Sequence, residues 1–88
     1  MSRLRIEVKG IVQGVGFRFH AHRQASAFGL TGFVRNEYDG SVTIEIEGDD
    51  DTLEGFEKWC RTGPPRAEVR HYKRIVLPPA GSNSFLIL

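Results

Sequence analysis

The chain has 88 residues, 40% hydrophobic and 26% charged, with 12 Lys and Arg against 11 Asp and Glu. That length holds one hydrophobic core, so a single domain over residues 1–88 is expected, and the ordinary apolar and charged fractions exclude a disordered chain. No apolar run nears the ~20 residues of a membrane-spanning helix, and Met1-Ser2-Arg3 leads straight into an alternating pattern, so neither an anchor nor a signal peptide is expected.

Leu4, Ile6 and Val8 alternate with Arg5, Glu7 and Lys9, the period of a strand with one buried face. The loop GIVQGVGFR follows over Gly10–Arg18. From Phe17 to Phe28 the apolar residues Phe17, Ala21, Ala25 and Phe28 fall at helical spacing, and Gly29 stands where a helix C-terminus takes glycine. Gly32 to Tyr38 predicts a second strand, Asp39-Gly40 a hairpin turn, and Val42, Ile44 and Ile46 one face of a third. Asp49 to Asp51 are N-cap candidates for a second helix, with Asp51 and Glu54 resembling a capping box. Its stripe of Leu53, Phe56 and Cys60 is closed by Gly63 and two prolines, and Trp59, one position off the stripe, is expected to pack at its edge. Ala67 to Leu77 predicts a fourth strand and Ser84 to Leu88 a short fifth. Cys60 is the only cysteine, so no internal disulfide can form, which fits a reducing cytosol.

The order β-α-β-β-α-β buries its apolar faces by packing two helices on one face of an antiparallel sheet, the ferredoxin-like α+β sandwich, here with a short fifth strand at the C-terminus. In that arrangement the first and second strands run the same way with the third between them. The loop after the first strand and the end of the second then share one sheet edge, about two strand spacings (~10 Å) apart. The Gly14–Arg18 stretch and Asn36 are therefore expected to face one pocket.

Charge is laid out in blocks. Met1–Arg35 carries six basic residues and one acid, Asn36–Glu57 nine acids and no Lys or Arg, and Lys58 onward six basic residues and one acid. A uniformly basic nucleic-acid binder is excluded by this layout, which favours a basic surface near the first loop, suited to a small anion. Gly14 and Gly16 permit positive φ and keep side chains out of a concavity. A short loop turning directly into a helix N-terminus aims successive N–H groups at one point, with the helix dipole behind them. Arg18 in the first turn opposes that dipole, so a bound anion explains its place better than helix stability does. The loop lacks the third glycine of a dinucleotide fingerprint and the Gly-Lys-Ser/Thr of a Walker loop.

Gly10, Val12, Gln13, Gly14, Val15, Phe17 and Arg18 match the G-x-V-Q-G-V-x-F-R signature of the acylphosphatase family. Gly32-Phe33-Val34-Arg35-Asn36, with Gly40, Val42 and Gly48 beyond, matches its second signature, and the chain resembles that family over nearly its whole length. The resemblance weakens at Leu86-Ile87-Leu88, which lacks the basic or aromatic residue often found there, a departure expected to touch stability more than catalysis. It implies hydrolysis of an acyl phosphate to a carboxylate and inorganic phosphate without metal or cofactor. Arg18 would hold phosphate together with the loop residues Gln13, Gly14, Val15, Gly16 and Phe17, and Asn36 would hold the attacking water. The implied partners are the small acyl phosphate and inorganic phosphate, with neither nucleic acid nor membrane, in a cytoplasmic monomer.

The same residues admit other readings. Asn36 could simply serve the hairpin turn at Asp39-Gly40. His20 and His22, two apart on a helix, point away from each other and with His71 make no metal set; His22 reads as a surface histidine beside the pocket. An RNA-binding module of the same strand and helix order is disfavoured because Glu45 and Glu47 would put acids on its exposed sheet face. Acylphosphatase-like domains also open larger carbamoyl-transfer enzymes, where the site would bind (carbamoyl) phosphate without hydrolysis; a chain that stops with the domain is expected to be a free-standing hydrolase instead.

Overall fold

Strand alternation decides which residues meet. In the computed structural model, which describes all of Met1–Leu88, the elements are β1 (Ser2–Ile11), α1 (Phe17–Ala27), β2 (Thr31–Asn36), β3 (Val42–Gly48), α2 (Asp50–Thr62), β4 (Glu68–Leu77) and β5 (Phe85–Ile87). Leu4, Ile6 and Val8 of β1 and Val42, Ile44 and Ile46 of β3 are buried in one core with Phe17, Ala21 and Ala25 of α1 and Leu53, Phe56 and Cys60 of α2. Trp59 packs beside that stripe, its ring 5.3 Å from Phe17 and 5.7 Å from Phe56. Burial pushes the Cys60 thiol well up, which removes it as a nucleophile. No helix is long and apolar enough to cross a membrane.

The sheet order is β4-β1-β3-β2-β5. β3 is antiparallel to both β1 and β2, so those two run the same way and end at one edge, where α1 begins. The ferredoxin-like arrangement is therefore present, with β5 added in parallel beside β2 through Gly32↔Phe85 and Val34↔Ile87. Two local expectations are corrected. β2 stops at Asn36, not Tyr38, because the turn claims the following groups: Glu37 N–H donates to the Ser41 carbonyl, and Ser41 donates from N–H and hydroxyl to Asp39 Oδ1. Of the N-cap candidates of α2 Asp49 takes the place, without a side-chain capping bond, and the capping box of Asp51 and Glu54 does not form, since Asp51 lies inside the helix with Asp50, where their charges offset the helix dipole.

The sheet face away from the helices is not uniformly exposed. Arg3 is 6% exposed and Glu47 4%, so the expectation of an exposed acid at Glu47 fails. The connection from β4 to β5 covers them while carrying the chain from one sheet edge to the other. Arg3 bridges Glu45 at 2.9 Å and Glu47 at 3.1 Å, and Glu47 accepts the N–H groups of Ala80 at 2.7 Å and Gly81 at 3.1 Å. Ser82 accepts from Arg3 and donates to Thr31 Oγ1. A second buried carboxylate, Glu57 on α2, accepts from the Tyr72 hydroxyl and from Arg74 of β4. Burial and the neighbouring carboxylate raise the Tyr72 hydroxyl, keeping it a donor.

The Ala80 amide, together with Arg3 and Gly81, holds the Glu47 carboxyl below its ordinary value of 4.5. A depressed carboxylate stabilises the fold above that ordinary value and loses its contribution as pH falls through the lowered one. Thermal melts across the acid range are expected to show Glu47→Gln less stable than the wild type at neutral pH, with the gap narrowing on acidification. A gap that is absent or independent of pH would contradict this role.

Candidate active site

Gly14 and Gly16 adopt left-handed φ of 73° and 78°, which no non-glycine residue of the chain shares. A Cβ at Gly14 would meet nothing within 4 Å, so it is the backbone conformation that demands glycine there, not lack of space. The turn ends in Gly16 as the N-cap of α1, with no side chain capping the helix and no acid in its first turn. The N–H groups of Phe17, Arg18 and Phe19 have no carbonyl one turn before them within the helix, and the first helix-type bond runs from His20 N–H to the Gly16 carbonyl. Three donors and the positive end of the helix dipole are thus left without a protein partner.

Arg18 leaves the first turn half-buried, and its guanidinium donates at 2.9 Å to the backbone oxygen of Leu88, whose own N–H donates to the Val34 carbonyl. β5 thereby orients the cation. On β2, alternation sends Gly32, Val34 and Asn36 toward the helices, and Val34 is fully buried. Asn36, at the end of that strand, faces the N-terminus of α1. The hairpin bonds are made by Asp39, Ser41 and Gln13, not by the Asn36 side chain.

Gly14, Gly16, Phe17, Arg18 and Asn36 therefore line one cleft of about 270 Å³, completed by Val12, Phe19 and Ile87. Arg18 is its only ionisable side chain. The two remaining loop residues serve differently. Val15 packs partly buried against the core. The Gln13 amide donates at 2.8 Å to the Glu37 carbonyl and at 2.9 Å to the Ser41 carbonyl, so it ties the loop to the β2–β3 hairpin. It lines a neighbouring hollow with Arg35, Asn36, Glu37 and Tyr38. There the Thr43 hydroxyl and Arg35 bond the Glu37 carboxylate and lower its pKa, leaving it a poor proton acceptor. His22 stands apart from the cleft, its ring 6.0 Å from Phe85.

The acylphosphatase family model matches residues 4–87. The chain belongs to the acylphosphatase family. It is 46% identical over 87 residues to the acylphosphatase of Moorella thermoacetica, covering 99% of this chain and 94% of that one. The crystal structure of acylphosphatase from Bacillus subtilis superposes with a TM-score of 0.96 at 35% identity, covering 100% of this chain and 99% of the other. Full-length HypF, crystallised in a phosphate- and nucleotide-bound form, matches with a TM-score of 0.92 at 30% identity over 99% of this chain but only 12% of its own.

Against the acylphosphatase signatures, the structure brings together the loop glycines, Arg18 and Asn36, which lie far apart in sequence. The C-terminal segment, whose departure from the signature is expected to touch stability more than catalysis, also reaches the cleft: the Leu88 backbone oxygen bonds Arg18 and Ile87 lines the wall. Parallel pairing to β2 places them there, and nothing in the short pattern of Ser84–Leu88 says which edge it joins. Gln13→Ala removes both clamp bonds, leaving the Ser41 and Glu37 carbonyls only the hairpin N–H groups of Glu37 and Gly40. Urea unfolding is expected to show a loss of about 1–3 kcal/mol, accompanied by weaker binding of inorganic phosphate. Unchanged stability with unchanged phosphate affinity would show that the clamp does not hold the loop.

Proposed function

We propose that this chain hydrolyses the carboxyl–phosphate bond of acyl phosphates as a metal-independent acylphosphatase, with Arg18 and the loop N–H groups as phosphate ligands and Asn36 as the holder of the water. The observation that carries the reading is the composition of the cleft: one fixed cation, unclaimed N–H donors and one uncharged amide converge on a space lined by no carboxylate, thiol or imidazole side chain. Such a set binds a dianion and orients a water. It supplies neither a nucleophile for a covalent intermediate nor a strong general acid.

The chemistry needs neither. The scissile P–O bond releases a weakly basic carboxylate, which leaves without protonation. A loose phosphoryl-transfer transition state asks for positioning and for stabilisation of charge on the equatorial oxygens. The Arg18 fork and the N–H groups of Phe17, Arg18 and Phe19 meet those oxygens, and they are worth more against the transition state because they are already in place. Asn36, through its side-chain amide, aligns water for in-line attack; the water oxygen bonds to phosphorus as the carboxylate departs. With Glu37 held ionised and engaged on Thr43 and Arg35, the water's proton passes to a phosphate oxygen or to solvent in this reading. The same reading takes the chain as one acylphosphatase domain, a cytosolic monomer acting on a small molecule without nucleic acid or membrane. Its single thiol, buried and raised in pKa, suits a reducing compartment.

Hydrolysis of an aromatic acyl phosphate, followed by ultraviolet absorbance with EDTA present, tests this directly. The wild type is expected to turn over at a rate that EDTA leaves unchanged. Arg18→Ala is expected to lose phosphate affinity and rate together, and Asn36→Ala to lose about 10²–10³ in kcat with inorganic phosphate still bound. Equal loss of phosphate binding in both variants would overturn the division of roles. Phosphate binding by the wild type without turnover would leave a non-hydrolytic phosphate-binding domain.

A further inference from the structure

Two large apolar side chains at the cleft lie outside the buried core. Phe19 is 56% exposed on the first turn of α1, and Ile87 is 47% exposed on β5, yet both line the cleft that holds Arg18 and Asn36. They come from elements at opposite ends of the chain. The residue before Phe19 carries the cation, and the residue after Ile87 orients it. Of the nine large apolar side chains exposed on the chain, these two are the ones that line the cleft.

Resting on the reading of this site as an acyl phosphate hydrolase, we infer that Phe19 and Ile87 form the acyl subsite and select aromatic or branched apolar acyl groups over small or polar ones. The phosphate occupies the only charged and hydrogen-bonding groups of the cleft, the loop N–H groups, Arg18 and Asn36. The remaining lining is Val12, Phe17, Phe19 and Ile87 with the glycines, so a carboxylate, hydroxyl or amide on the acyl chain finds no side-chain partner. An apolar acyl group covers exposed ring and branched-chain surface instead. At about 270 Å³ the cleft is slightly below the ~300–1,000 Å³ of typical ligand sites. The favoured acyl group is accordingly a single ring or a short branched chain. The Phe19 ring is itself held from one side, by the Arg23 guanidinium 5.8 Å from its centroid and the His20 ring edge-on at 5.4 Å, which limits its freedom before substrate arrives. A half-open apolar wall discriminates modestly, by a factor of about ten, the low end of what hydrophobic contacts give.

The experiment compares kcat/KM for 3-phenylpropionyl phosphate and acetyl phosphate, whose leaving carboxylates are nearly equal in basicity, so the ratio reports the acyl contacts. The wild type is expected to favour the phenylpropionyl substrate about tenfold. Phe19→Ser and Ile87→Thr should each reduce that ratio, together bringing it close to one, while Phe19→Leu restores part of it. Thermal melts of the variants establish that they are folded. Hydrolysis of both substrates with equal kcat/KM by the wild type overturns the acyl subsite alone. So does a ratio that survives in the folded double variant. Hydrolysis of neither substrate overturns the subsite together with the reading on which it rests.

Discussion

The N-terminus of α1 receives no negative group from the protein. Its N-cap is glycine, its first turn holds no acid, and an arginine stands where the helix dipole favours a carboxylate. The other features of the cleft converge on this uncompensated end. The glycine turn lets the chain leave β1 and enter the helix without a side chain in the way. β2 runs parallel to β1, one strand removed, and so delivers Asn36 to the same edge. The Gln13 clamp fixes the two halves against each other through backbone carbonyls, which do not vary with side-chain identity. An anion completes the electrostatics of the helix, and a phosphoryl group is an anion that grows more demanding of positive donors as it transfers.

The open sheet face contributes at a distance. The buried ion cluster of Arg3, Glu45 and Glu47 holds the connection from β4 to β5, and that connection decides where β5 lies. β5 in turn places the backbone oxygen of the following Leu88 against Arg18 and the Ile87 side chain on the cleft wall. The acid block and the two basic blocks of the sequence thus meet in the fold, because β1 sits between β4 and β3. Charges that read as segregated along the chain are partly paired in space, and the cation left facing the cleft is Arg18.

Much of this is legible in the sequence because it rests on period and on glycine. The faultless alternation of Leu4, Ile6 and Val8 fixes the faces of β1, and the stripe of Leu53, Phe56 and Cys60 fixes that of α2. Gly14 and Gly16 mark the turn, and the topology brings Asn36 to it. What escapes is set by tertiary contact. Whether Glu47 is exposed depends on a connection with no periodicity of its own. The pairing of β5 depends on three residues, Phe85–Ile87, too few to carry a pattern. Asn36 shows the limit most clearly: Asp39 and Ser41 take the turn bonds that its own position would also allow, and only the folded hairpin shows which residue serves the turn.

The central claim is that a phosphate dianion sits on the N–H groups at the start of α1, against Arg18 and beside Asn36. Titration of the ¹⁵N-labelled protein with inorganic phosphate, read by amide and side-chain N–H chemical shifts, tests it without requiring turnover. The saturating shifts are expected to concentrate on the backbone N–H groups of Gly14–Phe19, on Arg18 Nε and on the Asn36 side-chain amide. Shifts centred instead on another basic region, such as His71 and Lys73 on β4, or no saturable shift at the start of α1, would contradict it.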